Sequence, residues 1–353
     1  MTAHLRGDER VLVWLPGWLG DCVMAEPVVA ALAAFVGQGG GRLTVVAPLP
    51  FWAVLGGPEA GGDEPTAADW VDARDVRATD AALGQAEVAL LLRGSFRSAW
   101  RAFRARVPRR IGFSRDLRAA LLTDGVVPAR RRFGGKDALA VRPFGDDVGE
   151  LANLVGVPLR RARPVVLVRP AWDRRVAKRL AEWGDAPASA RGFVLVNVGG
   201  REASAKAFPA WAPVLAELLG AGERVVLVTG PGEEANLDEV LAALPVAPPA
   251  DQLLAWRAPV ADLGEMAALG QRARTCLTTD GGARHVLAAA GARLVVLFGP
   301  TSPHHTAAHL ERTTSLVGQA PCAPCHLERC DQPDVQRCFH ALAPGEIAAA
   351  ALS

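Results

Sequence analysis

Residues 278–303, TTDGGARHVLAAAGARLVVLFGPTSP, hold the densest set of groups able to capture an anion. Asp280, Gly281 and Gly282 interrupt a β-like run at 275–279, and His285 follows shortly after. The apolar run 293–298 (RLVVLF) has the composition of a strand buried on both faces. It ends in a second turn, Gly299-Pro300-Thr301-Ser302-Pro303. Two such turns at the carboxyl ends of adjacent parallel strands would bring backbone N–H groups, a helix N-terminus and the Thr301 and Ser302 hydroxyls to one place. That chemistry suits a small anion, above all a nucleotide diphosphate.

Other groups could join it. Lys206 lies in GGREASAKAFP (199–209), between a strand and a helix, where an ammonium can hold a phosphate as a point charge; Arg201 is a second cation in the same loop. Of 39 basic residues only Lys136, Lys178 and Lys206 are lysine, so its place in a Gly-rich loop stands out. Glu233 follows the strand RVVLVT and a Gly-Pro-Gly turn, a position from which a carboxylate can bind ribose hydroxyls or merely begin a helix. Asp21 follows Gly20 at a strand-to-helix turn. There it can cap the helix, and facing a cleft it can also take a proton from a hydroxyl. Residues 93–118 hold nine Arg and one Asp, with Arg97, Arg101 and Arg104 at helical spacing and so on one expected face. An ordinary solvated face of an Arg-rich chain is the alternative. Finally, Cys322, Cys325, Cys330 and Cys338 open with a Cys-x2-Cys knuckle suited to a structural zinc or iron, although the later gaps are not those of a standard zinc finger. Free thiols and disulfides are the other readings, and disulfides are disfavoured without a secretory signal.

The elements that must position these groups alternate between apolar strands and helices, which implies α/β domains with parallel, doubly wound sheets. Strands are expected at 10–15, 43–47 and 88–92, then at 193–198, 224–229, 275–279 and 293–298. Helices are expected at 22–35, delayed or kinked by Pro27, and at 209–219 with Pro209 near its first turn. Residues 56–68 read as a loop, and the two series join around 168–192.

Four stretches match one family in order. LPGWLGDCVMAEPVVAAL (15–32), the 199–209 loop, Asp280 to His285 and the 299–303 turn together resemble glycosyltransferase family 9, the ADP-heptose:lipopolysaccharide heptosyltransferases. The tail CAPCHLERCDQPDVQRC is similar to the Cys-rich ending of some members. The resemblance implies a GT-B architecture of two facing Rossmann-like domains: an acceptor domain at 1–185, a donor domain at 186–338, and a C-terminal helix at 339–353 packing back on the first domain. It implies inverting transfer of a heptose-like sugar from an ADP-sugar to an acidic glycolipid or oligosaccharide acceptor. Asp21 would be the base. Lys206, Arg201, Glu233, Asp280, Gly281, Gly282, His285, Thr301 and Ser302 would bind the donor, and Arg97, Arg101 and Arg104 the acceptor. Gly281 stands where the family often has Ser or Thr, and Arg284 would either compensate for that loss or recognise a different sugar. No Asp-x-Asp motif sits in a donor position, so no catalytic metal or other cofactor is expected. A nucleotide-sugar epimerase, or a non-catalytic nucleotide-binding protein of the same fold, would share these features.

Composition sets the outer bounds. A 353-residue chain favours two domains. With 22% charged residues, a net charge of +2 and few aromatics, it does not read as a nucleic-acid binder. No apolar run reaches the roughly 20 residues of a membrane span, and the N-terminal residues resemble no signal peptide. The expectation is a cytoplasmic protein that touches the inner membrane surface peripherally.

Overall fold

The structure, a computed structural model, describes residues 4–59, 67–114, 116–127, 143–184, 192–200, 204–304 and 310–353. The described residues form two compact units, one up to Val166 and one from Leu167 to Ser353.

In the first unit the strands are β1 (Arg10–Trp14), β2 (Arg42–Ala47), β3 (Asp69–Asp72), β4 (Val88–Leu91), β5 (Arg109–Phe113) and β6 (Asp124–Val126). The helices between and after them are α1 (Leu19–Gly39), α2 (Val76–Gln85), α3 (Phe96–Arg104) and α4 (Phe144–Leu154). The strands pair in parallel in the order β3-β2-β1-β4-β5-β6. Trp14 lies opposite Leu91, so β1 and β4 end level with each other. Their fully buried residues explain the apolar runs: Leu12, Val13, Ala89 and Leu91 are each 0% exposed.

α1 is longer than its sequence pattern suggested. It starts at Leu19, ahead of Pro27, which is simply included in the helix. It has 21 residues, and an 18-residue window within it has a mean hydropathy of 1.8, long and apolar enough to cross a membrane by length and composition. This corrects the expectation that no apolar run reaches that length, because Asp21 and Glu26 break the run in sequence but not the helix. Here α1 packs on β2 and α4. Glu26, 6% exposed, is the charge this packing must satisfy. Arg161 grips it bidentately, Nη1 to Oε2 and Nη2 to Oε1 at 2.6 Å each, and the Val165 amide donates to Oε2 at 2.9 Å.

The second unit repeats the plan. Its strands are β7 (Val194–Asn197), β8 (Val225–Val228), β9 (Leu253–Ala255), β10 (Thr275–Thr279), β11 (Leu294–Phe298) and β12 (Thr313–Val317). Its helices are α5 (Pro170–Glu182), α6 (Trp211–Gly220), α7 (Glu234–Ala242), α8 (Leu263–Arg272), α9 (Gly282–Ala289) and α10 (Pro344–Leu352). The parallel order β12-β11-β10-β7-β8-β9 is the same doubly wound pattern, with β10 and β11 adjacent as expected. α6 begins at Trp211, so Pro209 precedes its N-cap residue Ala210 and is not in its first turn.

Two boundaries move. α5 belongs to the second unit because it packs on α8: Trp172 is 1% exposed, and a Cβ at Gly264 would run into its ring. Arg175 adds ion pairs to Asp262 and Glu265, each at 2.9 Å. The division therefore falls at 166/167 and not at 185/186, which lies outside the described residues. α10 was expected on the first domain, yet its Ile347, Ala348 and Ala351 join the second core with Val214, Leu215 and Leu218 of α6. The alanine-rich face of α10 can approach α6 closely, and that accounts for the choice.

Removing one partner of a buried ion pair leaves the other charge uncompensated, a cost of roughly 3–5 kcal/mol. Arg161 is partly exposed, so Arg161→Met should lower stability by about 3 kcal/mol, measured as a shifted midpoint in urea with an unchanged slope. An unchanged midpoint would show that Glu26 does not depend on it.

Candidate functional site

In each sheet the chain leaves the two central strands in opposite directions: β1 leads to β2 and β4 to β5, while β7 leads to β8 and β10 to β11. Ligands of open α/β sheets bind where strands diverge in this way, outside their carboxyl ends. The chemistry-bearing residues fall at these two places.

In the first unit Asp21 is the third residue of α1, just past the turn that follows β1. The N-cap is Trp18, in extended conformation and with no side-chain cap bond. Asp21 is therefore not the cap its sequence position allowed. It is a first-turn carboxylate, favoured there by the helix dipole. Arg93 follows β4 and its amide donates to Trp14 O at 3.0 Å. A Cβ on Gly17 would stand 3.3 Å from Arg93 Nη1, so the guanidinium lies against the turn leading into α1. Both charges are felt by buried Cys22. Burial pushes its thiol pKa up, Asp21 adds to the rise, and Arg93 opposes it. In sequence, Arg93 is marked only as the first of an Arg-rich run. Its position directly after a central strand was the available signal.

In the second unit Lys206 and Asp280, 74 residues apart, meet directly: Lys206 Nζ donates to Asp280 O at 2.8 Å. Among the described residues this bond uses one of the three ammonium donors. The Asp280 carboxylate, 3% exposed, accepts from Arg284 Nε at 3.0 Å, and Arg284 is itself 0% exposed. Burial lowers the Arg284 pKa, which Asp280 opposes. Arg284 therefore neutralises Asp280 from below and does not reach out to replace a missing hydroxyl, the role considered for it. His285 is buried beside them. The Gly281 amide is taken by Thr279 O at 2.8 Å, so it is not open to a ligand as expected. Gly281, the N-cap of α9, supplies no side-chain cap, and the first-turn amides beginning at Gly282 form the open end. Thr301 is 6% exposed, and its Oγ1 has no partner among the described residues. Ser302 is half-buried next to it. Arg201 lies outside the described residues.

Glu233 works mainly on the backbone. Its Oε2 accepts from Gly200 N at 3.0 Å and Gly230 N at 3.3 Å, tying together the loops after β7 and β8. A Cβ at Gly199 would lie 2.6 Å from that oxygen, which is why glycine is needed there. Asn197, absent from the sequence reading, ends β7; its Nδ2 donates to Thr278 Oγ1 at 3.0 Å and its Oδ1 accepts from Gly199 N at 3.2 Å. A polar residue ending an otherwise apolar strand was the signal for it.

The three arginines of α3 do not share a face. Arg97 and Arg104 are exposed, whereas Arg101 turns inward to Asp80 Oδ1 and Val76 O, 2.7 Å each, with its guanidinium 5.0 Å from the Trp14 ring centroid. Arg101 is thus structural, because Asp80 on α2 outcompetes solvent for it.

Cys322, Cys325, Cys330 and Cys338 line one cavity of about 10 Å³. Burial, reinforced by the other three thiols, pushes the Cys338 pKa up to about 11. A set of four thiols suits a thiophilic ion, yet among the described residues no three His, Cys, Asp or Glu side chains are arranged as ligands. The segment braces the anion site from behind: Gln336 Nε2 donates to Ser204 O at 3.0 Å, Ala205 N to Glu328 O at 2.9 Å, and His326 N to Pro300 O at 2.8 Å.

This arrangement, an oriented ammonium beside an open helix end, is built for an anion. The model of glycosyltransferase family 9 (heptosyltransferase) matches residues 76–335. Lipopolysaccharide heptosyltransferase 2 of Salmonella typhimurium is 27% identical over 323 residues, 87% of this chain and 88% of that protein. Lipopolysaccharide heptosyltransferase 1 of Pseudomonas aeruginosa is 35% identical over 103 residues, which span 26% of this chain and only 29% of that relative. The solved structure of E. coli ADP-heptose lipopolysaccharide heptosyltransferase II has the same fold, with a TM-score of 0.68 at 22% identity over 96% of both chains. The chain belongs to glycosyltransferase family 9, the heptosyltransferase family, and is a glycosyltransferase with two Rossmann-like domains of the GT-B kind.

Proposed function

We propose that this glycosyltransferase moves a heptose from ADP-heptose to an acidic lipopolysaccharide-core acceptor, with inversion at the anomeric carbon and without a catalytic metal. The Lys206–Asp280 contact beside the uncapped start of α9 carries the reading. It supplies positive charge where a leaving diphosphate needs it. The donor named for the E. coli structural relative, and the substrate class named for the two sequence relatives, support the choice of sugar and acceptor.

In this mechanism Asp21 accepts the proton of an acceptor hydroxyl as its oxygen bonds to C1 of the sugar. The bond from C1 to the diphosphate oxygen breaks, and ADP departs with the electron pair. Attack from the face opposite the leaving group inverts C1. Lys206, the first-turn amides of α9 and Thr301 Oγ1 stabilise the departing charge. Glu233 and Asn197 hold the loops in place, and Glu233 adds a ribose contact through its second oxygen. Arg93, beside the turn leading into α1, and the outward Arg97 and Arg104 meet the acidic groups of the acceptor. Such a reaction belongs at the cytoplasmic face of the inner membrane.

For the four C-terminal cysteines, which line one cavity but are not arranged as ligands here, the same reading proposes a structural zinc or iron whose binding would draw the thiols together. The ion would fasten the Lys206 loop and take no part in the chemistry. Elemental analysis of the purified protein should find about one zinc or iron per chain, lost in Cys322→Ser/Cys325→Ser. Four thiols that titrate freely in metal-free protein would reject the assignment.

Calorimetry should show selective binding of ADP over UDP, GDP and dTDP. Asp21→Ala should slow transfer by about 10²–10⁴-fold, the usual worth of a positioned base, while ADP affinity stays within about twofold. Near-full turnover in that variant would remove Asp21 from the mechanism. Lys206→Ala should weaken ADP binding about tenfold or more, the loss of a charged hydrogen bond of roughly 1.5–3 kcal/mol; unchanged affinity would refute its role. Sugar turnover by the wild type without acceptor would favour an epimerase instead.

A further inference from the structure

α3 is built with its amphipathic faces reversed. Ser98, Ala99 and Ala102 point inward, each 1% exposed or less, and let the helix sit close on its sheet. The large side chains point out. Phe96, Trp100 and Phe103 are 51%, 43% and 44% exposed. Their rings form a continuous ridge: Phe96 and Trp100 stack with centroids 6.4 Å apart, and Trp100 and Phe103 with centroids 5.9 Å apart. Spaced at i, i+4 and i+7, they make one helical stripe. Arg97 and Arg104 are exposed on the same side, and the Arg110 guanidinium lies 5.5 Å from the Phe103 ring centroid. Leu117, in the neighbouring 3-10 turn that packs on α3, is 83% exposed.

A soluble helix normally buries its aromatic residues and exposes its small ones. A surface of stacked aromatic rings flanked by guanidinium groups is otherwise the composition of an interfacial helix. The rings enter the boundary between headgroups and acyl chains, and the cations meet lipid phosphates. Charge singles out the partner. The whole chain carries only +2, whereas the cations around this stripe include the exposed Arg97, Arg104 and Arg106 and the half-buried Arg110 against Phe103. Such a patch is attracted to an anionic surface. A second copy of the same face would set guanidinium against guanidinium. We infer that the exposed face of α3, with Leu117, is a docking surface that seats this protein on an anionic lipid bilayer. The inference needs neither the donor nor the acceptor assigned above, since it rests on the aromatic stripe and the local charge alone.

The test is flotation of the full-length protein with large unilamellar vesicles of phosphatidylcholine, with or without one quarter phosphatidylglycerol, and no glycolipid in either. The wild type should float with the phosphatidylglycerol vesicles, release at high salt, and stay behind with pure phosphatidylcholine. The Phe96→Ser/Trp100→Ser/Phe103→Ser variant should bind those vesicles at least tenfold more weakly, while its ADP affinity, read by calorimetry, matches the wild type and shows that it is folded. Equal flotation of this variant, or no flotation of the wild type, would overturn the proposal. So would a dimer seen by sedimentation velocity that the triple variant abolishes, because the stripe would then be a contact between copies.

Discussion

Neighbouring parallel strands whose crossover helices depart in opposite directions cannot be covered by those helices at their carboxyl ends. Both sheets obey this constraint, between β1 and β4 and between β7 and β10. The chain must turn sharply there, and the turns expose amides and helix starts. Much else in the second unit serves to make such a turn hold an anion. Lys206 reaches across the divergence to Asp280 O, Asn197 joins the two strand ends, and Glu233 fastens the loop after β7 to the one after β8.

The buried Asp280–Arg284 pair solves a problem this geometry creates. At the site proposed for a diphosphate, an uncompensated carboxylate would repel the ligand. Arg284, wholly enclosed and one helical turn later, cancels that charge from within while the Asp280 carbonyl orients the ammonium of Lys206. The positive character of the site then comes from Lys206 and the α9 amides, groups that face the anion. Preorganised charge of this kind needs no rearrangement as a leaving group departs. The Cys-rich segment fits the same logic, since its backbone and Gln336 hold Ser204, Ala205 and Pro300 from behind.

The first unit uses the equivalent divergence differently. It places a carboxylate, Asp21, in the first turn of α1 and a guanidinium, Arg93, beside the preceding turn. α1 can begin there because it is anchored farther along, where Glu26 is enclosed by Arg161 and Val165. The carboxylate proposed as the base thus lies in the first turn of a helix whose apolar body packs into the core. The outward aromatic stripe of α3 belongs to the same unit but answers a different need, since its small inner face already satisfies the sheet.

The residues alone were enough to place β1, β2, β4, β7, β8, β10 and β11 and the family, whereas β3, β5, β6, β9 and β12, short or only partly buried, left no such apolar run. Buried parallel strands leave long apolar runs, and anion-binding turns need Gly, Pro and small polar residues at fixed positions. Strand 275–279 and the pairing of β10 with β11 were legible for that reason. Partner choice was not. Nothing near Arg101 in sequence says that Asp80 will draw it inward, and nothing near Asp280 says that Lys206 will meet its carbonyl. The residues of α5 read only as part of the connection around 168–192, and the family resemblance sets α10 on the first domain, because neither residue pattern says what will cover a buried helix face. Gly264 opposite Trp172, and the alanines of α10 against α6, decided those contacts by shape. Four cysteines spaced irregularly over 17 residues of chain likewise gather at one cavity only once the segment folds. Local pattern is written in the sequence because it depends on residues a few positions apart. Burial, pairing and the direction of a side chain depend on residues brought close by the fold, and only the tertiary structure decided them.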